Sequence, residues 1–194
     1  MCGRYYVDEE TVRDMERAVQ GLDERIRAQA CGDRYPSAPA GVIVGNHGRL
    51  VGECQVWGFP YGQKKGVVFN ARSESVMDKP MFQECVRVSR CVIPAKGFYE
   101  WNRRKEKFTF TLPEESTLYL AGIYRQYPGE RRFVILTTQA DELMSPVHDR
   151  MPLILKREQL RDWILDGAQT PALLGQKPPR LQKETEYEQQ VLPL

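Results

Sequence analysis

The chain has 194 residues, of which 41% are hydrophobic and 28% charged, with a formal net charge of +2. That length suits one medium domain with a buried apolar core, and the composition excludes wholesale disorder. No apolar run approaches the ~20 residues that a membrane-spanning helix needs, and the first residues lack the apolar stretch of a secretory leader, so a cytoplasmic protein with no membrane partner is expected.

Asp8 stands where it caps a helix with Glu9 and Glu10 in its first turn, and Val12, Met15, Val19, Leu22 and finally Ile26 continue one apolar stripe. A Gly- and Pro-rich loop over 31–41 follows, then strand-like segments at 42–44 and 51–57 around an Asn46-His47-Gly48 turn, which makes His47 a surface turn residue. The segment from Phe108 to Leu112 alternates with period two, and 118–124 and 133–136 read as more deeply buried strands. Short helices are predicted at Pro80–Val88 and 156–165, the latter with Leu160, Trp163 and Ile164 on one face. The pattern is that of a mixed α+β fold in one domain, 1–194, with 167–194 a loosely packed tail rich in Pro, Gln and charge.

Five cysteines, at 2, 31, 54, 85 and 91, form neither a CxxC pair nor a disulfide framework, so reduced thiols are expected. With two histidines and no ligand spacing, neither a zinc site nor any other cofactor is called for. Basic residues outnumber acidic ones between Glu84 and Lys107, although Arg103-Arg104-Lys105 also reads as a solvated turn.

Cys2 is the most informative residue. Removal of Met1 ahead of it leaves an α-amine and a thiol on one carbon skeleton. An aldehyde condenses with the amine to an imine, and the thiolate then closes a five-membered thiazolidine on the same carbon. Both groups titrate within about two pH units of neutral when unperturbed, and neighbouring Arg4 is expected to favour the thiolate. Position alone is equally consistent with an incidental cysteine.

Four blocks bear on Cys2, the first of them its own. Met1-Cys2-Gly3-Arg4-Tyr5, Asn70-Ala71-Arg72-Ser73-Glu74, Pro94-Ala95-Lys96-Gly97-Phe98-Tyr99-Glu100-Trp101 and His148-Asp149-Arg150-Met151-Pro152 occur in one order and together resemble the SOS-response-associated peptidase family over about residues 2–165. Pro39, Trp57-Gly58-Phe59, Lys79-Pro80 and Thr137 are further matches, while Lys96 stands where an acidic or small residue is frequent. The resemblance implies a mostly antiparallel, barrel-like sheet core with flanking helices. It also implies self-removal of Met1, a covalent crosslink from Cys2 to abasic sites in single-stranded DNA, and a competing lyase activity.

On that resemblance Cys2, Asn70, Glu100 and His148 are the catalytic set: Glu100 and His148 do acid/base work and Asn70 orients the amine or the opened sugar. Arg4, Arg72 and Arg150 are expected to neutralise phosphates, Trp101, Trp57 and Pro39 to lie against neighbouring bases, and Thr137 to belong to the same DNA surface. The expected partner is single-stranded DNA with an abasic site, met by a monomer, in association with the nucleoid if the host is bacterial. Two other readings use the same residues: a cysteine peptidase or amidohydrolase acting on other substrates, and a non-covalent single-strand binder in which Cys2 is incidental.

Overall fold

The computed structural model describes residues 2–28, 31–62, 65–113 and 117–185, and the middle of the chain is sheet, as the period-two segments predict. In chain order the elements are β1 (Tyr5–Val7), α1 (Glu9–Ala18), α2 (Glu24–Ala28), β2 (Gly32–Arg34), β3 (Pro39–Asn46), β4 (Arg49–Trp57), β5 (Phe59–Pro60), β6 (Val67–Val68), β7 (Asn70–Arg72), α3 (Pro80–Val88), β8 (Arg90–Ala95), β9 (Gly97–Trp101), β10 (Lys107–Thr111), β11 (Leu118–Tyr127), β12 (Glu130–Gln139), β13 (Arg150–Pro152), β14 (Ile154–Leu155), α4 (Leu160–Leu165), α5 (Thr170–Leu174) and β15 (Gln182–Glu184).

Strands β4, β3, β8, β11 and β12 pair in that sequence, and β12 returns to β4 as a parallel neighbour, so five strands close into a barrel. Alternation along each strand fills two cores. Val42, Val44, Cys91, Ile93, Leu118, Leu120, Phe133 and Ile135 point inward. Ile43, Val92, Tyr119, Ala121, Val134 and Leu136 point outward, where Met15, Phe82, Val86, Leu160 and Trp163 from the helices cover them. This two-sided burial explains why 118–124 and 133–136 carry near-continuous apolar runs. A second sheet, ordered β15-β10-β9-β1-β2, adds Tyr5, Phe98, Phe108 and Phe110 to the inner core. The β3–β4 hairpin turns at His47 and Gly48, whose φ values of 48° and 75° are those the two-residue turn requires.

Three segments depart from the sequence reading. The stripe from Val12 to Ile26 is two helices. Asp8 caps α1 by accepting the Thr11 N–H at 2.8 Å, but the chain turns extended at Val19 and pairs with the edge of β4, Gly52 donating to Gly21 O at 2.8 Å. A Cβ on Gly52 would lie 2.4 Å from the Leu22 side chain, so the missing side chain lets this segment seat. The loop over 31–41 contains β2 and the start of β3. The tail is packed through residue 185: Leu173 and Leu174 join the outer core, and β15 pairs with β10. The rest of the predicted tail, 186–194, lies outside the described residues. Among the described residues no helix is long and apolar enough to cross a membrane.

Candidate active site

Strand pairing fixes the chain just after Cys2. β1 lies between β9 and β2, with Tyr5 opposite Phe98 and Arg34, and Tyr99 donates its N–H to Arg4 O at 3.0 Å. On β9 the period of two turns Phe98 and Glu100 inward and Tyr99 and Trp101 outward, which puts a carboxylate at 4% exposure at the end of the apolar interior. Cys2 itself is 0% exposed. Asn70, at the start of β7, donates from Nδ2 to Cys2 O at 2.9 Å, and its Oδ1 is buried with no hydrogen-bond donor on it among the described residues.

Burial pushes the Cys2 thiol well above its ordinary range, the Glu100 charge pushes it further, and a hydrogen bond from the Arg4 backbone opposes them. This corrects the expectation of a thiolate supported by Arg4. The Arg4 guanidinium pairs with Asp33, with Nε 2.9 Å from Oδ2, and lies over the Tyr35 and Tyr99 rings at 5.1 and 5.0 Å.

Beyond Trp101, which is half-buried, an open groove of about 690 Å³ is lined by Asn102, Arg103, Arg104, Pro146, His148 and Asp149. The His148 Nδ1 accepts the Arg150 N–H at 3.0 Å and also lies 2.8 Å from Asp149 Oδ1. Arg150, only 8% exposed, holds Glu74 in a bidentate pair at 2.6 and 2.8 Å and donates to Thr137 O at 2.6 Å. The same pair holds the Glu74 carboxyl below its usual range.

Cys2, Asn70 and Glu100 are thus brought together, and His148 shares a groove with Trp101. Arg72 and Pro39 are exposed. Trp57 is not a surface for bases: it is fully buried, stacked 6.3 Å from Phe133, with its indole N–H on Phe69 O at 2.8 Å. Thr137 is likewise fully buried and meets Arg150 and Ala71 O rather than solvent. Arg150 faces Glu74, not open surface. Sequence reasoning missed Asp33 and Glu74, the carboxylates that occupy two of the three expected phosphate ligands. Glu74 was visible as the last residue of the Asn70–Glu74 block. Arg103 and Arg104, readable as a solvated turn, line the groove.

Comparison with known proteins places this arrangement. The SOS response associated peptidase (SRAP) profile matches residues 1–189. The abasic site processing protein YoqW of Bacillus subtilis is 31% identical over 183 residues, 84% of this chain and 80% of the relative. The abasic site processing protein YedK of Escherichia coli is 31% identical over 117 residues, 56% of this chain and 52% of the relative. A crystal structure of a Bacteroides thetaiotaomicron protein superposes with a TM-score of 0.79 at 21% identity, covering 95% of this chain and 91% of the other, and thereby supports the fold alone. With a profile that spans nearly every residue and relatives alike over most of their length, the chain belongs to the SOS response associated peptidase family.

Proposed function

We propose that this protein processes abasic sites in DNA, and that it does so by capturing the open-chain aldehyde of the lesion in single-stranded DNA as a thiazolidine on Cys2. The observation that carries the proposal is the seating of Cys2. Cys2 is fully buried beside a carboxylate, with its carbonyl held by an asparagine. The names of YoqW and YedK as abasic site processing proteins supply the substrate class.

Hydrolysis of the Met1–Cys2 bond consumes one water and frees the α-amine. The amine nitrogen adds to the aldehyde carbon, and loss of water leaves an imine. Sγ then bonds to the imine carbon, the C=N electron pair moves to nitrogen, and the thiol proton ends on that nitrogen. Because burial disfavours a free thiolate, that proton must leave as the S–C bond forms, and Glu100 is the group that relays it. The unsatisfied Asn70 Oδ1 is suited to accept from the new amine or from a sugar hydroxyl. His148 exchanges protons with the sugar oxygen, while Trp101, Arg103, Arg104 and the exposed Arg72 hold the flanking strand. Turnover of other peptides would require an ionised thiol open to a polypeptide, and burial opposes both.

The test is intact mass after denaturation. Protein lacking Met1 is mixed with a single strand carrying one abasic site, with Cys2→Ala as control. A DNA-sized adduct on Cys2 that is absent from the control is expected, and cleaved DNA in the same sample measures the lyase branch. Peptide turnover without an adduct would transfer the reading to a peptidase, and a complex that denaturant disperses would transfer it to a non-covalent binder.

A further inference from the structure

We infer that Glu74 and Arg150 are positioning residues that hold the His148 ring in one neutral tautomer. A neutral imidazole accepts through one nitrogen and donates through the other. The Arg150 N–H at 3.0 Å requires a lone pair on Nδ1, which leaves the hydrogen on Nε2. Asp149 Oδ1, 2.8 Å from that nitrogen, requires a hydrogen there instead, so the two contacts exclude one another in a neutral ring.

The surroundings decide between them. Asp149 is 81% exposed, and a contact open to water contributes little. Arg150 is fixed from both sides: its backbone pairs with Gln139 of β12, and its buried guanidinium is held by Glu74 and by Thr137 O. Without Glu74 the guanidinium would be buried with its charge uncompensated and would have to move towards water, carrying the backbone N–H away from the imidazole. Arg72, exposed beside Glu74, offers a cation to the strand.

The inference about His148 as an acid rests on the proposed chemistry, but the tautomer can be measured without it. The chain has two histidines, so 15N-histidine labelling with a His47→Asn variant assigns both rings. Wild-type His148 is expected to show the Nε2–H signature, and Glu74→Gln to show mixed tautomers. In the same variant, crosslinking at saturating DNA should slow by about tenfold or more, with affinity for an intact single strand unchanged. Glu74→Asp should recover part of the rate, whereas Arg72→Ala should weaken binding and reduce its salt dependence. An Nδ1–H signature in the wild type, which needs no variant to fold, would overturn the inference. So would an unchanged spectrum and rate in Glu74→Gln, or a loss confined to affinity. A wild-type protein that forms no adduct would remove the proposed function and leave the nitrogen shifts to decide the tautomer.

Discussion

The proposed chemistry gives Glu100 two opposing effects on Cys2. As a charge it raises the thiol and slows ionisation; as a proton relay it would speed ring closure. Glu100→Gln separates them by sign. If the charge alone mattered, the variant would crosslink faster. With the relay in force it should crosslink slower by about 10²-fold or more, read from single-turnover rates at saturating abasic DNA. At this scale Cys2 was legible from its own chemistry and Asn70 and Glu100 from the resemblance of their blocks, and the structure brings the three together. The sequence was not legible where burial decides. Trp57 and Trp101 are the same residue type at strand ends, yet Trp57 fills the barrel while Trp101 stands at the rim, because a strand's parity depends on which face its neighbours cover.

Among the elements, α3 and α4 share one fastening. Arg90 at the start of β8 is buried and donates to the carbonyls of Val86 and Arg87, which end α3, and to Trp163 at 2.5 Å and Ile164 at 3.4 Å in α4. Those carbonyls have no partners within their own helices, and burial lowers the guanidinium's proton affinity without removing its charge. Arg90→Met would leave them unpaired. The expected cost is about 3 kcal/mol, or a melting temperature lower by roughly 6–12 °C in a calorimetric scan. Helix α3 was legible because Lys79-Pro80 marks its start and its apolar spacing stops where it ends. The break between α1 and α2 was not. The apolar stripe runs on through Val19 and Leu22, and only the edge of β4, distant in sequence, offers the backbone partners that extend the chain there.

The whole molecule keeps several acidic groups out of water. Burial raises Cys2, Cys91 and Tyr5, all of them fully buried, above their ordinary ranges. Such groups keep their protons in the folded state after the unfolded chain has released them. The stability they contribute is therefore complete below the ordinary thiol value of 9.0 and falls as pH rises beyond it. Each group costs about 1.4 kcal/mol per pH unit once its unfolded counterpart is ionised. Denaturant midpoints should accordingly decline steeply above pH 9, and a Cys91→Ala variant should decline less steeply. Barrel closure was the least legible feature at this scale. It depends on β12 meeting β4 and β7 as parallel neighbours across more than sixty residues of chain, and no local pattern encodes that pairing. The position of β1 between β2 and β9 has a further consequence, in time. The first strand made is sealed by one that begins at residue 97. At about 5–20 residues per second, roughly 5–20 s of synthesis separate the two. During that interval β1 lacks its second partner, and under the proposed chemistry that is when Met1 would be removed from Cys2.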